Sequence, residues 1–218
     1  NINASSLDVY TLKGQDEGPV LMVIAGIHGD EPAGPKAIEL YKDIKLKKGK
    51  LVLVPHANKK ALLKNKRYIN VDMNRIFNNK KDDINYYEYE VVKELKELMK
   101  QADMVVSLHE AKGFYGKNKE YYGQSVVIDD VKLKKTADNV VNKLNAEQKD
   151  KDHYFYLNFQ DTKSDTTKHP EQRGSATYYS VYELGVPAYG VETSKGIKNL
   201  SERVAMQCLG IRFFMEEL

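Results

Sequence analysis

Cysteine is almost missing from this 218-residue chain, tryptophan is missing altogether, and neither sign of charge dominates. A lone Cys208 excludes an intrachain disulfide and a thiolate metal cluster. Its neighbours Val204, Ala205, Leu209 and Ile211 mark it as a buried helical thiol rather than a nucleophile. No apolar run approaches the roughly 18–20 residues that a helix needs to span a bilayer, so no membrane span is expected. The 34 basic and 31 acidic side chains leave a net charge of only +3. Lysines gather at Lys42–Lys50 and Lys59–Arg67, but acidic residues are interspersed through the rest, which describes a solvated face better than a nucleic-acid footprint. Composition leaves the compartment open.

What is present fits an ordinary globular protein, with 41% hydrophobic and 30% charged residues. The length suits one domain with a substantial core. Apolar runs at Val20–Ala25, Leu51–Val54, Asp103–Glu110 and Ala188–Glu192, the last two turning polar at their ends, read as buried strands, with shorter strands at Leu7–Leu12 and Ser125–Ile128 and an aromatic, exposed one within His153–Phe159. Helical spacing covers Ala33–Ile44, Tyr86–Gln101, Val131–Glu147, Ser175–Leu184 and Leu200–Glu216. Strands that alternate with helices and lack polar alternation predict an α/β fold, a mixed, largely parallel sheet with helices on both faces. In such sheets ligands bind at strand ends, and three strands here end in His28, His109 and Glu192.

The chemistry starts at Gly26-Ile-His-Gly-Asp-Glu-Pro32, where an apolar strand breaks and a helix begins through Pro32. Taken alone, a His-x-x-Glu turn is most often just a polar loop. His28 and Glu31 with His109 make two histidines and one carboxylate, a set used by catalytic zinc, which activates water and polarises a carbonyl. Cobalt or nickel could occupy the same donors. Such a site needs a general base, and Glu192 is the candidate; its alternative is a surface glutamate opening a loop. The irregular stretch from Ala57 to Asn79 carries Arg67, Asn74 and Arg75, able to stabilise an oxyanion and grip a carboxylate. The plainer reading makes it a salt-bridged loop with Asp72 and Asp82 as partners.

Gly26-Ile-His-Gly-Asp-Glu31, Val71-Asp-Met-Asn-Arg75, Ser107-Leu-His109 and Gly190-Val-Glu192 resemble, in order and approximate spacing, the zinc carboxypeptidase superfamily, in the branch of succinylglutamate desuccinylase and aspartoacylase. The resemblance covers roughly Val20 to Glu217. More narrowly, Ala25–Gly34, Asp72–Phe77, His109–Tyr115 and Glu192–Lys195 are similar to the murein D,L-carboxypeptidases that determine helical cell shape. A known member has glutamine at the first ligand position, where this chain has His28; further β-rich domains follow in those enzymes, so 1–218 is expected to be the catalytic domain alone.

The resemblance implies one zinc ion at His28, Glu31 and His109, Glu192 as general base, Arg67 polarising the scissile carbonyl, and Asn74 and Arg75 holding the substrate carboxylate. It implies a small peptide substrate, most readily a peptidoglycan tripeptide trimmed to a dipeptide by loss of terminal meso-diaminopimelate, and a periplasmic or other extracytoplasmic location. Tyr115, Tyr121 and Tyr122 are offered as pocket walls or as simple loop packing, and Lys195 as a surface lysine or a contact for a second substrate carboxylate; His56 and His153 are expected to have no metal role, the alternative for His56, which follows Pro55, being support of the site. Alternatives stay open: an N-acyl amino acid deacylase, cytoplasmic in that case; a non-catalytic zinc- or peptidoglycan-binding module; and, on the lysine clusters alone, a nucleic-acid binder.

Overall fold

In the computed structural model, which describes residues 7–79 and 85–218, the apolar runs become the middle of a seven-stranded sheet. Strands β1 (Tyr10–Lys13), β2 (Asp16–Ile24), β3 (Lys48–Val54), β4 (Met104–Ala111), β5 (Ser125–Ile128), β6 (Tyr156–Phe159) and β7 (Ala188–Ser194) lie in the order β1-β3-β2-β4-β7-β5-β6. The pairs β2–β3, β2–β4, β4–β7 and β5–β6 are parallel, while β1–β3 and β5–β7 are antiparallel. The expected mixed, largely parallel sheet is what forms.

Both faces are covered, which explains the unbroken apolar strands. Successive side chains on a strand point to opposite faces. Leu21, Val23, Leu51, Leu53, Val106, Leu108, Tyr189 and Val191 meet helices α1 (Ala33–Tyr41), α4 (Lys134–Ala146) and α6 (Leu200–Glu216) on one side. Met22, Ile24, Val52, Val54, Val105 and Ala188 meet α3 (Tyr87–Met99) and the start of α5 (Ala176–Tyr182) on the other. Each such fully buried aliphatic side chain contributes about 1.5–3 kcal/mol relative to exposure, so the two apolar layers hold the strand ends in fixed register.

Element limits shift where pairing or capping overrides periodicity. β2 begins at Asp16 because Asp16 pairs with Lys48 ahead of a register shift before Val20, in a stretch with no apolar signal. The polar Ala57–Asn79 stretch holds a short helix, α2 (Lys59–Leu63), whose N-cap Asn58 accepts from Ala61 N–H, and a 3-10 turn, Met73–Arg75. Five residues are too few for helical periodicity to show. The helix expected from Val131 opens as a 3-10 turn, Val131–Leu133, before α4. Only Tyr156–Phe159 of the aromatic run is strand, on the sheet edge.

The chain leaves β2 through Gly26, whose φ of +71° is in the left-handed region that glycine tolerates. A Cβ there would also come within 2.9 Å of the Pro55 carbonyl oxygen. This turn carries residues 27–31 over the carboxyl ends of β4 and β7, where the functional side chains meet.

Candidate metal centre and active-site cleft

His28, Glu31 and His109 are all buried, with donor atoms within 4.8 Å of one another. Glu31 sits between the two imidazoles: His28 Nδ1 lies 2.9 Å from Oε1 and His109 Nδ1 2.9 Å from Oε2. The two rings are tilted 50° to each other with centroids 5.0 Å apart. Each histidine's remote nitrogen has its own partner, His28 Nε2 at 3.0 Å from Asp72 Oδ1 and His109 Nε2 at 2.8 Å from Ser107 Oγ. Metal-binding histidines are characteristically held this way, the second nitrogen fixed so that the first points inward. Two imidazoles and a carboxylate with converging donors and fixed remote nitrogens fit a divalent metal.

Glu31 is held from behind. The Glu110 N–H donates to its Oε2 at 3.2 Å, and the Glu110 side chain accepts from Ala33 N–H at the start of α1 and pairs with buried Arg203 from α6. Gln207 of α6 donates to the His109 carbonyl at 2.8 Å and to Thr193 Oγ1 at 2.9 Å. The helical layer thus fixes the His28–Glu31 turn relative to β4 and β7.

His109 and Glu192 are register partners on neighbouring parallel strands. Partners in a ladder share a sheet face, so Glu192 projects beside the cluster. The loop from Arg67 to Arg75 closes the other side. Gly29 N–H donates to the Arg67 carbonyl at 3.3 Å, and a Cβ on Gly29 would strike the Ala61 backbone at 2.1 Å, so only glycine lets turn and loop approach. Arg67 Nε donates to Asp72 Oδ2 at 3.1 Å and its Nη1 lies 3.5 Å from Glu31 Oε1. Asn74 Oδ1 accepts from Ala176 N–H at 3.0 Å, tying the loop to α5, and Arg75 Nη1 donates to the Asn74 carbonyl at 2.9 Å. Buried Glu88 gathers the N–H groups of Ile69 and Asn70 and the Asn70 amide.

These residues line one cleft of about 430 Å³, which holds His28, Glu31, Arg67, Asn74, Arg75, His109 and Glu192 together. The three candidate ligands, Glu192 and the three residues of the Arg67–Arg75 loop therefore converge. Of the three tyrosines, only Tyr122 lines the cleft; Tyr121 is exposed, and Tyr115 borders a separate depression with Lys119 and Phe159. Lys195 is at the cleft, where it pairs with Asp30 at 3.1 Å. His56 does not support the metal cluster: it is directed to Asp8 at 3.3 Å and Glu39 at 3.8 Å. Asp72 is an ion-pair partner of Arg67, as the plainer reading had it, and also the partner of His28; Asp82 lies outside the described residues. Asp72 and Ser107 were legible only through the rule that a ligating imidazole needs a partner for its second nitrogen.

Charge is unevenly shared across the cluster. Burial opposes a charge on His28, but Glu31 and Asp72 outweigh it and hold its pKa up at about 9. Burial would raise both carboxylates, yet the His28 charge and hydrogen bonds hold Glu31 and Asp72 well below the usual carboxylate range. Burial pushes His109 below an ordinary histidine, against the pull of Glu31. Glu192 goes the other way: burial, then the nearby Glu31 charge, raise it well above an ordinary glutamate. Two carboxylates in one cleft are thus driven apart, Glu31 toward its anion and Glu192 toward its protonated form.

A family described as carboxypeptidase controlling helical cell shape, catalytic, matches residues 3–218. The tripeptide-bound cell shape determinant Csd4 protein from Helicobacter pylori superposes with a TM-score of 0.88 at 27% identity, covering 98% of this chain and 55% of that one. The mDAP-bound form of H. pylori Csd4, a D,L-carboxypeptidase, gives a TM-score of 0.83 at 29% identity, covering 92% and 51%. Succinylglutamate desuccinylase of Pseudomonas aeruginosa is 34% identical over 82 residues, 36% of this chain and 25% of that protein. This chain spans about half the length of Csd4 and a quarter of the desuccinylase.

Proposed function

We propose, because this chain belongs to the family of carboxypeptidases controlling helical cell shape, that it is a zinc-dependent carboxypeptidase trimming peptidoglycan tripeptides to dipeptides. The observation that carries this reading is the convergence in one cleft of a His28–Glu31–His109 donor set, a base on the register partner of His109, and a basic clamp. The tripeptide and mDAP bound to the H. pylori relative support the substrate class.

His28, Glu31 and His109 would hold one zinc ion. When bound it supplies a Lewis acid and water activated near neutral pH. Glu192 takes the proton of the attacking water and returns it to the leaving amine; its raised proton affinity suits a base that must next act as an acid. Arg67, beside Glu31, stabilises the developing oxyanion. Asn74 and Arg75 hold the free carboxylate of the residue to be released. Because Asn74 Oδ1 is committed to Ala176 N–H, the Asn74 amide NH₂ is the group left to donate to substrate. Asp72 keeps His28 aimed at the metal and Arg67 aimed at the reacting carbonyl.

Residues 1–218 act in this reading as one catalytic unit. No described helix is long and apolar enough to cross a membrane; a peptidoglycan substrate supports a periplasmic or otherwise extracytoplasmic location. The desuccinylase match favours a second reading, hydrolysis of a small N-acyl amino acid by the same groups. Mass spectrometry of muropeptides and N-acyl amino acids incubated side by side with the zinc-loaded protein separates the two. Release of the tripeptide's terminal amino acid is expected; cleavage of N-acyl amino acids alone would transfer the function to the second reading.

A further inference from the structure

We propose that the depression bounded by β6 and the loops at residues 115–120 and 159–169 is a glycan-binding site, which holds the enzyme on the N-acetylated sugar polymer while the cleft works on its peptides; the choice of polymer rests on the carboxypeptidase reading. The depression encloses about 320 Å³ and meets the catalytic cleft at Gln160, which lines both. β6 is the last strand of the sheet, and it carries two aromatic side chains left in solvent, Tyr156 at 41% and Phe159 at 42% exposure. Tyr115 lines the depression with Phe159. Tyr156 lies flat against the backbone: a Cβ on Gly116 would come within 2.9 Å of three of its ring carbons, the nearest at 2.3 Å. One face of the ring is thus seated on the chain and the other is turned to solvent. The ammonium of exposed Lys119 stands 3.9 Å from the Tyr115 centroid and 5.2 Å from that of Tyr156, so the two rings border one shared space. At an exposed site such a contact is weak, and a ligand displaces the lysine at little cost.

The polar groups around the rings suit a polyhydroxylated ligand. Asn158 lines the depression, stands on the same face of β6 as Tyr156 and is 1% exposed. Its Oδ1 accepts from Gln160, and its Nδ2 has no partner among the described residues. A buried amide donor left unmade is costly, and an acetamido or hydroxyl oxygen would satisfy it. Thr167 Oγ1 accepts from His169 N–H at 3.3 Å and keeps its own hydrogen to donate. Charge does not select an ion of one sign, since Glu120 and Asp161 line the depression together with Lys119 and Lys168. A pyranose joins an apolar C–H face, which packs on an aromatic ring, to a rim of hydroxyls, and that is the pairing offered here. A peptide added as a further strand fits less well, because β6 offers an edge of only four residues.

Isothermal titration of the zinc-loaded protein with the N-acetylglucosamine tetramer tests this, with Tyr156→Ser and, as a second variant, Phe159→Ser. Both side chains are exposed and outside the cleft, so either change should leave kcat/KM for free tripeptide unchanged. Wild type should bind with a Kd of about 1 mM or tighter, and each variant should weaken this on the order of tenfold, the value of one covered ring face. Retention on purified peptidoglycan sacculi should fall in step. No wild-type binding at about 10 mM tetramer, or variants that bind as wild type does, overturns the glycan site and leaves the carboxypeptidase reading intact. Retention on sacculi that free tripeptide competes away and the tetramer does not would assign the surface to peptide and likewise overturn it. If the tetramer binds as expected and wild type cuts no tripeptide, the carboxypeptidase reading falls while the sugar site stands.

Discussion

Asp72→Asn isolates the support that the His28–Glu31–His109 donor set receives from outside its three residues. Asp72 makes three contacts, to His28 Nε2 at 3.0 Å, Arg67 Nε at 3.1 Å and the Asn74 N–H at 2.9 Å. Asparagine keeps a carbonyl oxygen for His28 and Asn74, and it ranks with aspartate as an N-cap, so the Met73–Arg75 turn should survive at a cost of a few tenths of a kcal/mol. What is lost is the negative charge that steadies His28 and the acceptor for Arg67, which would now face an amide NH₂. Partners of ligating histidines are typically worth 10–100-fold in metal affinity or activity, or about 1.4–2.8 kcal/mol. Zinc affinity, measured by competition with a chromophoric chelator at fixed pH, should weaken within that range with the thermal midpoint of the metal-free protein little changed. Turnover should fall by more than zinc occupancy does, because Arg67 is released as well. Wild-type zinc affinity and turnover in Asp72→Asn would refute this account of the centre.

Further outcomes follow from the same geometry. Glu192→Gln should bind zinc as wild type does and lose 10²–10⁴-fold in kcat, while its melting temperature holds or rises, because a buried carboxylate near Glu31 has been neutralised; retained turnover counts against Glu192 as the base. Glu192 must be ionised to act and its pKa is raised, so activity should be lost as pH falls through a value above the ordinary carboxylate of about 4.3. Bound metal offsets the Glu31 contribution but leaves burial, the larger cause, in force; a kcat/KM profile flat down to pH 4.5 would contradict this. Glu88→Ala strips the acceptor from three N–H donors in the loop and should destabilise by about 1–3 kcal/mol, read by urea denaturation. It should also raise KM, since that loop carries Arg67, Asn74 and Arg75; a stability loss with KM unchanged would detach Glu88 from substrate binding.

Most of the fold was legible because the strands are buried on both faces and announce themselves as unbroken apolar runs ending in polar residues. The same habit exposed His28, His109 and Glu192, since a buried strand has little reason to finish on such groups. Roles that depend on partners distant in sequence were harder to see. Asp72 read as a salt-bridge residue because nothing local shows that His28, forty-four positions earlier, turns its second nitrogen toward it. Asp129 belongs to no motif in the sequence, and only the pairing of β5 with β7 brings it to the cleft. His56 follows a strand-ending proline, but that strand, β3, lies beyond β2 from β4, and its side chain turns to Asp8 and Glu39. Side-chain direction at a turn is set by the backbone around it, which residue types alone do not reveal.

The central claim is that one metal ion at His28, Glu31 and His109 powers hydrolysis with Glu192 as the proton carrier. Titrating zinc into metal-free protein while following tripeptide hydrolysis by mass spectrometry tests it most directly. Activity should climb in proportion to added zinc and level off at one equivalent, with Glu192→Gln taking up the same equivalent and remaining inactive. Hydrolysis by the metal-free protein, or full activity in Glu192→Gln, would contradict the account.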